Sequence, residues 1–197
     1  MINEVLTNLT YLFYPREICP WNESEKYLQS EEYKRLQSTI DFFYSDKNQK
    51  IRNVIKKDFE LDLTFKDFED HSRRESQDRC FTFFLNVIED GELHSITLYL
   101  SFLSPYYIIR HLEHKNNPFF SKLRIEELES EKKDPRKIKD LILDLETIVE
   151  NKLLYTKFPQ EMMSTIIKDV SFQDTYLGYF KMFNAFFNNT YINQDND

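Results

Sequence analysis

Apolar positions in this chain change their spacing twice, from about four residues to two and back. Val5, Leu9, Leu12 and Phe13 stand at i, i+4, i+7 and i+8, which predicts a helix near the N-terminus. Tyr14-Pro15 closes it, because a residue before proline avoids the α region. A second helical pattern covers 24–44, with Tyr27, Tyr33, Leu36, Ile40 and Phe43 near one face. Ser30, ahead of Glu31-Glu32, has the chemistry of an N-cap and allows a break there. Asp46 is placed to cap a further helix over 47–59, with Ile51, Val54 and Ile55 inward.

At residue 60 the period becomes two. Leu61, Leu63 and Phe65 alternate with Asp62, Thr64 and Lys66, which predicts a half-buried strand. A polar connector occupies 67–78. Over 80–88, Phe81, Phe83, Leu85 and Val87 face one way and Thr82, Phe84 and Asn86 the other. Asp90-Gly91 then marks a tight hairpin, with Gly91 supplying positive φ. The return strand carries Ile96, Leu98, Leu100 and Phe102 inward against Ser95, Thr97, Tyr99 and Ser101. Ser104-Pro105 turns the chain into another strand over 106–114.

Helical spacing returns after Asp134-Pro135, an N-cap followed by proline at the first helical position. Ile138, Leu141, Ile142, Leu145, Ile148 and Val149 form a stripe wide enough to pack on a sheet, with Leu153 at its margin. Pro159 opens a further helical segment containing Met162, Met163, Ile166 and Ile167. Asp174 or Thr175 is placed to cap a last helix, in which Tyr176, Tyr179, Phe180, Phe183, Phe186 and Phe187 crowd nearly all round. Gly178 falls inside that helix, where its lack of a side chain permits close packing. The expected fold is therefore α+β, a single domain over 1–192 with a frayed tail at 193–197. Its core is a central antiparallel meander of three to four strands flanked by N-terminal and C-terminal helices.

Composition removes whole classes of function. The chain has 197 residues and only two glycines, 87 positions apart, where an average protein has roughly 7%. Walker A, GxGxxG and kinase phosphate loops need clustered glycines, and the GxSxG nucleophile elbow is absent too. The net charge of −8 argues against nucleic acid, whose phosphates require clustered Lys and Arg, and favours basic partners. No apolar run approaches a membrane span, and the N-terminus lacks the basic start of a signal peptide. With two cysteines, Cys19 and Cys80, the expectation is a cytoplasmic protein without a cofactor or metal.

The remaining chemistry is local. Of the histidines, only His111 and His114 lie close in sequence, and three residues along a strand they face opposite ways, which is unsuited to a shared metal. The stretch 67–78 holds Asp67, Glu69, Asp70, His71, Arg73 and Arg74, parts from which a hydrolase or transferase site over 69–74 could be built. Solvated loops carry the same mixture. The aromatic excess, 18 Phe, 12 Tyr and 1 Trp, is the feature that stands out. Most of the Phe belongs to a core. Tyr and Trp with polar handles beside acids suit a partner-binding face, for which Asp67, Glu69, Asp70, Tyr99, Tyr106 and Tyr107 are the candidates. A third reading makes 176–187 the docking face of a homo-oligomer.

Three stretches carry a resemblance: Tyr14-Pro15 before a Tyr-rich acidic helix, Ser101-Phe102-Leu103-Ser104-Pro105-Tyr106-Tyr107 at a strand turn, and Phe183-Asn184-Ala185-Phe186-Phe187 near the end. Together they resemble small cytoplasmic immunity-type proteins of bacterial polymorphic or contact-delivered toxin systems. The resemblance implies a non-catalytic α+β protein that binds a cognate toxin domain and blocks it. It transfers no catalytic residue.

Overall fold

The computed structural model describes residues 2–63, 68–90, 92–114 and 137–189. Four helices come first: α1 (Ile2–Tyr11), α2 (Ser24–Gln29), α3 (Glu31–Phe43) and α4 (Asp46–Leu63). A five-stranded sheet follows, ordered β1 (Glu69–Asp70), β2 (Cys80–Glu89), β3 (Glu92–Ser101), β4 (Tyr106–His114) and β5 (Thr156–Lys157). Helix α5 (Ile138–Asn151) lies between β4 and β5, and α6 (Met182–Phe186) ends the described chain. The fold is α+β, as expected. The meander β1 to β4 is antiparallel, and β5 adds a short parallel edge. No helix among the described residues is long and apolar enough to cross a membrane.

The hairpin register pairs Glu89 with Glu92, leaving a two-residue turn in which Asp90 has φ 52. That positive φ is what a type I′ turn requires at its first central position. Gly91 itself lies outside the described residues. One sheet face carries Phe81, Phe83, Leu85 and Val87 beside Ile96, Leu98 and Leu100, all buried. Helices cover this face. Phe43 of α3 meets Phe81 at 6.0 Å, Phe59 of α4 meets Phe83 at 6.0 Å, and the Tyr107 hydroxyl donates to Glu150 of α5 at 2.7 Å. Leu141, Leu145 and Val149 of α5 are buried as the stripe predicts, whereas Asp134 and Pro135 lie outside the described residues.

The opposite face is only half covered. Phe183 and Phe187 pack edge-on against Tyr99, and Phe158 packs against Tyr106. Tyr99 and Ser101, expected on the wet side, are therefore buried by the C-terminal segment.

Further expectations give way, among them Val54, which is exposed rather than inward. The strand over 61–65 is instead the last turn of α4 through Leu63, with Leu61 exposed; 64–67 lies outside the described residues. An established helix gains one hydrogen bond for each residue it adds, and three alternating apolar residues do not outweigh that. In α1 the buried positions are Leu6 and Thr10 rather than Val5 and Leu12, a rotation of about one residue. Thr10 tolerates burial because its hydroxyl donates back to the Leu6 carbonyl at 3.0 Å. The helix expected after Pro159 is a single 3₁₀ turn, Gln160–Met162. The one expected from Asp174 is an irregular segment held by isolated bridges until α6. Gly178 is in that segment at φ 85, and a Cβ there would meet nothing within 4 Å. Its value is the left-handed backbone rather than close packing. Ser30 does divide the second helical pattern, its hydroxyl accepting from the Tyr33 N–H at 3.3 Å.

Arg79, fully buried, joins the sheet to the C-terminal segment. Its guanidinium donates to the carbonyls of Gln77 at 2.8 Å and Asn184 at 2.5 Å, and to Asn189 Oδ1 at 2.9 Å. It lies 4.9 Å over the Phe172 ring. Its backbone N–H donates to the Phe187 carbonyl at 2.7 Å, and its carbonyl accepts from the Phe102 N–H at 2.8 Å.

Arg79→Ala strands several buried acceptors at once. It should lower unfolding free energy by about 3 kcal/mol, read from urea denaturation; a loss below ~1 kcal/mol would remove Arg79 from this role. Burial also pushes the Cys80 thiol up to about 12, and Cys19 is buried and unbridged. Neither thiol should react with a thiol reagent in the native state, and both should react in denaturant.

Candidate functional site

The uncovered half of the second sheet face forms the floor of an open cavity of about 780 Å³. Thr82 and Phe84 of β2 and Thr97 and Tyr99 of β3 make that floor, as their pairing register requires. The walls come from three other places: Pro20 and Trp21 after α1, the 71–78 connector, and Gln173, Asp174, Asn188 and Asn189 near the C-terminus. A volume of this size falls within the range of ligand sites, roughly 300–1,000 Å³.

The walls are tied together by polar contacts. The Gln173 amide donates to the Ser76 carbonyl at 3.0 Å, and the Asn189 amide donates to Gln173 Oε1. Asn189 also accepts from Arg79, so the buried guanidinium anchors the wall from behind. Gln77 and Gln173 both hold positive φ, 52 and 47. A side chain in that region costs about 1–2 kcal/mol, which the surrounding contacts offset.

His71 begins where β1 ends. Its backbone N–H donates to the Thr82 carbonyl at 2.8 Å, which fixes the ring over Phe84 at 5.0 Å and 10° from parallel. Its Nε2 lies 2.7 Å from Glu69 Oε2, and both side chains are exposed. Asp78 is different: only 7% of its surface is exposed. Burial raises its pKa from the ordinary 3.8 to about 6, with the charge of Arg79 and the Arg73 backbone N–H pulling the other way. Burial likewise raises the Tyr99 hydroxyl, opposed by Arg110.

The mouth is aromatic. Trp21, 44% exposed, packs on Tyr176 at 4.6 Å, and Tyr176, Leu177 and Tyr179 continue the exposed surface beyond it.

The six residues expected on a partner-binding face scatter. Glu69 is exposed and pairs with His71, which lines the cavity. Asp70 is turned inward, where Arg52 Nε lies 2.8 Å from its Oδ2 as an ion pair outside hydrogen-bond angles, and the Ser72 N–H donates to its Oδ1 at 3.0 Å. Tyr99 lines the cavity with its ring largely buried. Tyr106 is half-buried against Phe158, and Tyr107 is fully buried on the helix side of the sheet. Asp67 lies outside the described residues. Sequence reasoning missed Asp78, Gln173, Asn188 and Asn189, because nothing local says that a connector and a C-terminal segment meet. Trp21 is the chain's single tryptophan, the residue type the composition marks as suited to a partner-binding face.

Asp78 has a pH signature. Its folded pKa is raised, so below about 4 the carboxyl is protonated in both folded and unfolded chains. Between about 4 and 6 only the unfolded chain has released the proton, and stability falls as pH rises through this window. Asp78→Asn should therefore be more stabilising, relative to the parent, at pH 7.5 than at pH 4. Urea denaturation at the two values checks this, and the opposite ordering would show that Asp78 is favoured as a carboxylate.

Against known proteins, no family model matches this chain, and neither a curated protein nor a solved structure is found to be similar to it.

Proposed function

We propose that this protein is a non-catalytic binding module of the immunity type, which captures a basic partner protein at the cavity and its aromatic mouth. The observation that carries the reading is the pairing of Trp21 with Tyr176 beside a cleft assembled from five stretches of chain. Tryptophan and tyrosine supply large contact area with few torsions to freeze, and they dominate interface energetics. The cleft beside them offers Asp78, Asp174 and amide side chains to a protruding cationic group. The net charge of −8 steers a basic partner toward the protein and speeds encounter. A cytoplasmic location, and a toxin domain as the partner, belong to this proposal.

One observation favours a second reading, a small hydrolase or transferase. The cavity brings His71 together with Asp78 and with Asp174 from a different part of the chain, the concave arrangement such a site needs. The described lining, however, offers no nucleophile paired with a base. The homo-oligomer reading loses its best surface, because Phe180, Phe183, Phe186 and Phe187 are buried in the protein's own core.

The test is binding to the product of the adjacent gene, with kinetics followed by surface plasmon resonance. A one-to-one complex is expected, with an association rate that falls as salt rises. Joint replacement Trp21→Ala and Tyr176→Ala should weaken it at least tenfold, about 1.4 kcal/mol or more. If no complex forms, or if the double variant binds like the parent, the reading fails.

A further inference from the structure

We propose that His94 and His111 form a two-imidazole chelate for a divalent transition-metal ion of the copper or nickel type, at the hairpin end of the sheet. Strand register brings them together. His111 of β4 stands opposite Ile96 and His94 of β3 stands opposite Glu113, so the two rings are diagonal neighbours on one face. His94 Nδ1 lies 3.0 Å from His111 Nε2, with the rings 24° from parallel.

That spacing matches a chelate bite. Metal–imidazole bonds are about 2.0–2.1 Å, so two at a right angle place their nitrogens about 2.9 Å apart, and two at a tetrahedral angle about 3.3 Å. A separation of 3.0 Å suits the right-angled set of square-planar or tetragonal Cu(II) and Ni(II), and imidazole is a ligand both favour. A hydrogen bond at this distance requires one of the two nitrogens to carry the proton and the other to accept it. When a cation binds, that proton moves to the other nitrogen of the same ring by tautomer exchange, and the rings turn so that both lone pairs converge on an ion beside the line between the nitrogens.

Electrostatics fit the same reading. Glu113, opposite His94 in the strand register, and Glu89 place negative charge near His111, which favours a bound cation. Glu92 completes the acidic end of the hairpin, opposite Glu89. Among the described residues no three His, Cys, Asp or Glu side chains form a ready metal cluster. Water therefore takes the remaining coordination positions. His114 is an internal control: its Nε2 lies 2.7 Å from Ser95 Oγ, and strand alternation puts it on the opposite sheet face from His111.

The site lies on the sheet face opposite the cavity floor, and its test needs no partner. The full chain would be titrated with Cu(II) and with Ni(II) chloride, following calorimetry, ligand-field absorption and the thermal midpoint. One ion per chain should bind and raise the midpoint. His111→Ala, at an exposed position, should weaken binding roughly tenfold or more while leaving the circular dichroism spectrum unchanged. His94→Gln should do the same, and His114→Ala should bind like the parent. Absence of binding in the parent overturns the proposal. So does a His111→Ala variant within twofold of the parent, or a loss caused by His114→Ala alone.

Discussion

A buried guanidinium makes the two halves of this molecule one object. Arg79 sits immediately before β2, and one of its terminal nitrogens donates to carbonyl and amide oxygens more than a hundred residues away. A desolvated charge is costly, and among the described residues it is met by dipoles: main-chain carbonyls, an asparagine amide and the face of Phe172. The Asn184 carbonyl belongs to α6, and the negative end of a helix is a favourable place for a cation. The same residue continues the backbone ladder to Phe187 and Phe102, which fixes the point of the sheet from which the guanidinium extends.

The cavity follows from that constraint. Phe183 and Phe187 are drawn over one half of the second sheet face, and the other half stays open. Asn189 and Gln173 then form a wall braced by Arg79, and Asp78 is carried inward as its immediate neighbour. The unusual carboxyl of Asp78 and the geometry of the cleft thus have one origin. Aromatic residues play two roles around it. Tyr14 reaches the Ala185 carbonyl and Tyr27 the Ser171 carbonyl from deep burial, tying the N-terminal helices to the C-terminal segment. Trp21 and Tyr176 remain outside.

Much of the architecture was legible locally. Alternation over β2 and β3, Asp-Gly between them and the stripe of α5 each report a repeating geometry that neighbouring residues impose on one another. The failures lie where local signals are weak or equivocal. Leu61, Leu63 and Phe65 alternate, yet they follow a helix already under way. The aromatic crowding over 176–187 looked helical because an amphipathic count cannot separate a helix from an irregular segment folded against a core. The site was less legible than the fold. His71 and Tyr99 were visible as chemistry, but their cavity depends on Gln173, Asn188 and Asn189, which carry no signal of their own.

By itself the sequence determined the fold class, the hairpin, the scarcity of glycine that excludes phosphate-cradling loops, and the acidic charge. These depend on composition and on neighbours within a few positions. Tertiary structure alone decided which half of the sheet stays open, that Asp78 is buried, and that His111 pairs with His94 rather than with His114. The reason is physical. Strand alternation sends His111 and His114 to opposite faces, while register between separate strands brings His94 and His111 to one, and register is a property of the assembled sheet.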